Sequence, residues 1–141
     1  MNTNTIKKCI FIFLALGLIS CTKKDDARYQ SNIKWESFDN YLAVSHDKPV
    51  FINIAADWCA SSHLAEEDLL STSKFAKHMS DNNFRTVRAD VTTLENLEKV
   101  EIWLKKQLQL KVDFLQVPSF VIIENNNVKL FNDAELLKYL N

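Results

Sequence analysis

The chain has 141 residues, 47% of them hydrophobic and 25% charged, with 17 Lys and Arg against 18 Asp and Glu. Ordinary globular values at this length leave room for one domain with a real core, not two, and exclude disorder beyond a short linker. The near-neutral balance and the lack of a basic stretch argue against nucleic acid as a partner.

Lys7 and Lys8 precede an apolar run from Cys9 to Ile19, the charged and hydrophobic regions of a secretory signal, and too short a run for an ordinary membrane-spanning helix. It ends in Leu18-Ile19-Ser20-Cys21. That tetrapeptide resembles the lipobox of bacterial lipoproteins, which implies that residues 1–21 are a signal segment and that Cys21 carries lipid as the first mature residue. The implied location is the cell envelope, with the domain anchored to a bacterial membrane and facing the periplasm or the exterior. Residues 22–32 then form a polar tether and residues 33–141 the folded domain.

Cysteine arithmetic follows. With Cys9 removed and Cys21 lipidated, Cys59 is the one thiol left, so the domain has no internal disulfide even in an oxidising compartment. A lone exported thiol is either a buried, inert cysteine or a reactive one, and its place in the chain favours the second.

Ile33-Lys34-Trp35 reads as a first strand, and Ser37 to Val44 as an amphipathic helix with Phe38, Tyr41 and Leu42 on one side. His46-Asp47-Lys48-Pro49 turns into an apolar, β-branched strand, Pro49 to Ala55. A helix follows Cys59 through Leu64 to Leu70; Ser71-Thr72-Ser73 breaks it and caps a second helix, Lys74 to Met79. After the Asp81-Asn82-Asn83 turn, Phe84 to Val91 is a strand. Leu94 to Leu110 is the longest helix, its stripe of Leu97, Val100, Leu104 and Leu108, widened by Trp103, reading as core. Phe120–Ile123 and Val128–Phe131 flank Glu124-Asn125-Asn126-Asn127 as a hairpin with Asn where Gly is usual. Asn132 or Asp133 caps a last helix through Leu140. Strands alternating with helices, closed by a hairpin, imply an α/β fold: a central mixed sheet with helices on both faces.

Cys59 falls where the apolar strand hands over to a helix, in Ala56-Asp57-Trp58-Cys59-Ala60-Ser61-Ser62-His63. Free amides and the positive end of the helix dipole favour thiolate over thiol at such a position. His63, four residues on, can share a helix face with Cys59, but two ligands do not make a metal site, and His46 and His78 have no spacing that recruits them. Neither a metal nor a cofactor is assigned. Glu66-Glu67-Asp68 reads as a solvated helix face, Asp57 and Asp90 have no identifiable proton-transfer partner, and there is no Gly-rich phosphate loop or Ser-His-Asp pattern.

Taken together, Lys48-Pro49-Val50 through Trp58-Cys59, Ala89-Asp90-Val91-Thr92, and Val117-Pro118-Ser119-Phe120 resemble the thioredoxin superfamily, most nearly the C-terminal periplasmic domain of the thiol:disulfide interchange protein DsbD. The resemblance covers residues 33–141 and implies a thioredoxin-like fold. It places the attacking cysteine at Cys59, the preceding aromatic at Trp58, and a cis-proline loop beside the thiol at Val117 and Pro118. Two positions depart from the pattern. The second active-site cysteine falls on Ser62, and the buried acid six residues before the attacking cysteine falls on Asn53. Both losses agree, since that acid serves mainly to take the second thiol's proton. The domain also lacks the glycine usual after the hairpin.

Cys59 can attack a disulfide and form a mixed disulfide, but Ser62 cannot release it. One implied function is therefore monothiol exchange, as an oxidoreductase or isomerase lacking its resolving cysteine, with cysteine-containing envelope proteins or small thiols as partners. The alternative is a catalytically inactive protein-binding module that keeps the groove near Pro118.

Overall fold

The computed structural model describes residues 33–44, 47–109 and 115–141. The expected signal segment 1–21 with Cys9 and Cys21, the expected tether 22–32, His46 and Leu110 lie outside the described residues.

A central strand explains the layout. β2 (Val50–Ala55) is buried at every position because it lies in mid-sheet with both faces covered, as its unbroken apolar run requires. Parallel β3 (Arg85–Asp90) flanks it on one side, with β1 (Trp35–Ser37) parallel beyond. Antiparallel β4 (Ser119–Glu124) flanks the other side and pairs in turn with β5 (Asn127–Phe131), giving the order β1-β3-β2-β4-β5.

Val50, Ile52 and Ile54 point to one face, covered by α1 (Phe38–Ala43) and α4 (Leu94–Leu108). Val100 and Leu104 are buried there, with Leu97, Trp103 and Leu108 packed alongside, so the long stripe is core. Trp103 meets Phe38 edge-on at 5.3 Å and fastens α1 to α4. Phe51 points to the other face, under α2 (Ala60–Ala65), α3 (Ser73–Asp81) and α5 (Asp133–Tyr139). Its ring lies 4.9 Å from Phe75 and 5.9 Å from Phe120, and burying each such ring stabilises the fold by roughly 1.5–3 kcal/mol.

Polar residues set the element ends. Ser37, Thr72 and Thr93 each accept an amide three residues on, and Asn132 forms a reciprocal capping box with Glu135; each cap contributes about 1 kcal/mol. Ser37 ends β1 as it caps α1, which moves the first strand two residues past the expected Ile33–Trp35. Leu42, expected on the apolar side of α1, is 45% exposed, because that helix stops at Ala43 and buries only Phe38 fully.

Gly17 is the chain's one glycine, so side-chain-bearing residues take the left-handed positions. Asn83, Gln109, Asn125 and Asn126 all have φ between 50° and 63°. Asn125-Asn126 close the β4–β5 hairpin with positive φ at both central residues, as a two-residue type I′ turn demands. Among the described residues no helix is long and apolar enough to cross a membrane.

Candidate functional site

The chain leaves β2 at Ala55, turns through exposed Asp57 and Trp58, and enters α2 with Cys59 as the N-cap residue. The turn is closed by the Cys59 amide donating to the Ala56 carbonyl at 3.0 Å, and the Cys59 carbonyl takes the amide of Ser62 at 3.0 Å. Cys59 is half-buried, whereas Ser62 is 2% exposed. The Ser62 hydroxyl accepts the Ala56 amide at 3.3 Å, tying the first turn of α2 to the end of the strand.

This setting favours the thiolate. The Ser62 hydroxyl holds the Cys59 thiol below its ordinary value, and the amides of Ser62 and Ser61 add to the effect; partial burial and the negative charge of Asp133 oppose it. From across the groove the Val117 carbonyl receives the Cys59 S–H at 3.3 Å. The Val117–Pro118 peptide is cis, and both residues are half-buried.

Trp58 lies 64% exposed beside the thiol, its indole N–H donating to the Thr92 carbonyl at 3.2 Å. Thr92 Oγ1 accepts the Asp57 amide at 2.9 Å, and Asp90 in turn accepts from the Thr92 amide and hydroxyl. These bonds hold the Asp90 carboxyl below its usual range, the Thr92 hydroxyl being the main cause. The loop after β3 thus clamps the loop after β2. That is the work of Asp90 and Thr92, whose motif is visible in sequence but whose partner is not.

Beneath α2, Asn53 is 2% exposed and donates from Nδ2 to Glu66 Oε1 at 3.1 Å, while its own Oδ1 has no partner. Glu66 Oε1 also meets Arg88 at 2.8 Å, and Arg88 reaches Asp57 at 3.4 Å. Glu66 is therefore not part of a solvated face, although Glu67 and Asp68 are exposed. Residues Glu66–Leu70 form a π-helical turn, with the Ser71 amide donating back five residues to Glu66, and Glu66 faces the sheet. A cavity of about 120 Å³ lies among Trp35, Asn53, Glu66, Leu70, Ser71 and Arg88.

His63 uses Nε2 on the Asp57 carbonyl at 2.9 Å, bracing the turn. Among the described residues no three His, Cys, Asp or Glu side chains converge as a metal site.

Of the residues singled out in sequence, the fold brings Cys59, Ser62, Val117 and Pro118 together and sets Trp58 at their rim; Cys21 lies outside the described residues. Sequence reading did not find Thr92, Glu66 and Arg88 as supports, or Asp133 near the thiol. A motif boundary signalled Thr92. The other three carry no local signal, since only sheet register and helix rotation bring them in.

A mixed five-stranded sheet covered on both faces, with the Cys59 thiol at a strand-to-helix turn facing an X-Pro loop, defines an α/β protein with a cysteine-bearing candidate site. The chain belongs to the thioredoxin-like family: the family model described as Thioredoxin-like matches residues 35–124. Among solved structures it is similar to a thioredoxin from Thermus thermophilus, with 18% identity over 77% of this chain and 84% of that one and a TM-score of 0.51. It is also similar to thioredoxin f from spinach chloroplast, with 21% identity, 76% and 90% coverage, and a TM-score of 0.47. A protein described as DsbH oxidoreductase gives 24% identity, 72% and 71% coverage, and a TM-score of 0.45. The first likeness supports the fold; family membership makes the fold consistent with thiol-disulfide exchange. The search of curated proteins gave no match.

Proposed function

We propose that this protein performs monothiol disulfide exchange through Cys59 in a bacterial cell envelope, anchored by lipid on Cys21, and related most nearly to the C-terminal domain of DsbD. One observation carries the reading: a half-exposed thiol at the head of α2, with the Ser62 hydroxyl on one side and the Val117 carbonyl on the other. The Cys59 thiolate attacks a disulfide of an envelope protein or small molecule and forms a mixed disulfide. Ser62 stands where a resolving thiol would be, so an outside thiol or the substrate's own second cysteine completes the exchange. Trp58 and Pro118 frame the approach to the sulfur.

The test is capture. Purified protein incubated with a scrambled disulfide substrate should give adducts that reductant removes and that Cys59→Ala does not form. In Ser62→Cys the adducts should be short-lived. Absence of any Cys59-dependent adduct would sink the reading. For the anchor, Cys21→Ser should move the protein out of the membrane fraction.

A non-catalytic binding module is the second reading, and the Asn53–Glu66 bond supports it. An amide that exchanges no proton fills the buried polar slot under the active-site helix. Partners that still bind Cys59→Ala would favour this module over covalent trapping.

A further inference from the structure

We propose that Asp133 is the proton acceptor for the outside thiol that resolves the Cys59 mixed disulfide. The role rests on the exchange reaction proposed above and assigns a residue to the step that reaction leaves without one.

Sheet register brings Asp133 to the site. The last β4–β5 pair is Phe120 with Phe131, and Asn132 is still extended at φ −89°, ψ 179°. Continuing that register two residues past its last pair would set Asp133 level with Pro118, the neighbour of the Val117 whose carbonyl holds the Cys59 sulfur. α5 starts at once, with no intervening loop to carry the acid away.

The other acids near the thiol are committed. Glu66 is bound to Asn53 and Arg88, Asp57 to Arg88, Asp90 to Thr92, and Glu135 to the Asn132 amide in the capping box. Asp133 Oδ1 is buried and has no hydrogen-bond partner. A carboxylate oxygen removed from water without a donor is poised to take a proton. In accord with this, burial pushes the Asp133 carboxyl above its usual range, and its charge is felt at the Cys59 thiol.

The step balances. The incoming thiol gives up its proton, and the thiolate so formed attacks the partner's sulfur in the Cys59 mixed disulfide; the new sulfur–sulfur bond forms, the bond to Cys59 breaks, and its electron pair leaves on Cys59 Sγ. The proton of the incoming thiol passes to the Asp133 carboxylate and then to water. One thiol and one disulfide enter, and one disulfide and one thiolate leave. Protonating Asp133 also removes the charge that opposes the Cys59 thiolate, so proton transfer and leaving-group stabilisation reinforce each other.

The test separates capture from resolution in the full-length protein. Cys59 is first loaded with oxidised glutathione, then resolved with glutathione, and quenched samples are read by peptide mass spectrometry at Cys59. Asp133→Asn should load as fast as wild type or faster, because the opposing charge is gone, and should resolve at least about tenfold more slowly. Asp133→Glu should recover part of the loss, with circular dichroism verifying that both variants are folded. Resolution of Asp133→Asn at the wild-type rate, or equal slowing of both steps, overturns the role of Asp133 alone. Failure of wild-type Cys59 to load overturns the exchange reaction itself.

Discussion

Cys59 Sγ faces the Val117 carbonyl oxygen at 3.3 Å, although the two residues lie 58 apart in the chain. A carbonyl accepts a hydrogen bond, so it favours the thiol, whereas the Ser62 hydroxyl and the amides at the head of α2 favour the thiolate. The sulfur sits between groups that prefer opposite protonation states, and the helix side prevails.

Ser62→Ala should therefore raise the Cys59 pKa and slow its alkylation by iodoacetamide at neutral pH several-fold. It should also destabilise the fold by about 1–3 kcal/mol, because the buried Ala56 amide loses its acceptor. Alkylation that is as fast as wild type at every pH would show that the hydroxyl does not act on the sulfur.

Asn53→Asp tests whether the fold accepts an acid at this position. The new carboxylate would lie against Glu66 Oε1, where the amide now donates at 3.1 Å. Stability at neutral pH should fall by about 2–3 kcal/mol in urea unfolding, as a buried donor is exchanged for a second acceptor. Adding Glu66→Gln should recover more than additivity allows. An unchanged midpoint in Asn53→Asp would contradict the geometry.

Tyr139 gives an alkaline signature. Burial, the Glu124 charge and a hydrogen bond to Glu124 Oε2 push its phenol from 10.0 up to about 12. The unfolded chain loses this proton first, so the stabilisation is intact below pH 10 and is lost as pH rises from 10 to about 12. Spectrophotometric titration of wild type against Tyr139→Phe should show a late-titrating phenol that the variant lacks, together with a flatter alkaline stability profile.

Gln109 ends α4 in the left-handed region at φ 52°, ψ 21°, a position that favours glycine. Gln109→Gly should raise stability by about 1 kcal/mol, relieving the Cβ crowding of that region. A loss of stability in chemical denaturation would mean that the Gln109 side chain makes a contribution larger than the strain.

Much of the fold was legible in sequence because its causes are local. The unbroken apolar run of β2, the 3.6-residue stripe of α4, the caps at Ser37, Thr72 and Asn132, and the Asn125-Asn126 turn each follow from residues within one or two turns of each other. Strand ends moved by a residue or two where a cap overruled propensity, as Ser37 did for β1.

The sequence by itself determined that Cys59 is the domain's one thiol, that it opens a helix, and that no second cysteine stands at Ser62. The family resemblance already implied the Val117–Pro118 loop beside the thiol, whereas tertiary structure alone decided its further surroundings: Thr92 on the Trp58 indole, Glu66 turned inward onto Asn53, and Asp133 at the start of α5 with its charge felt at Cys59. Those meetings depend on strand register and helix rotation. Both are set by many small packing energies summed over the whole core, and none of them is written in any short stretch of chain.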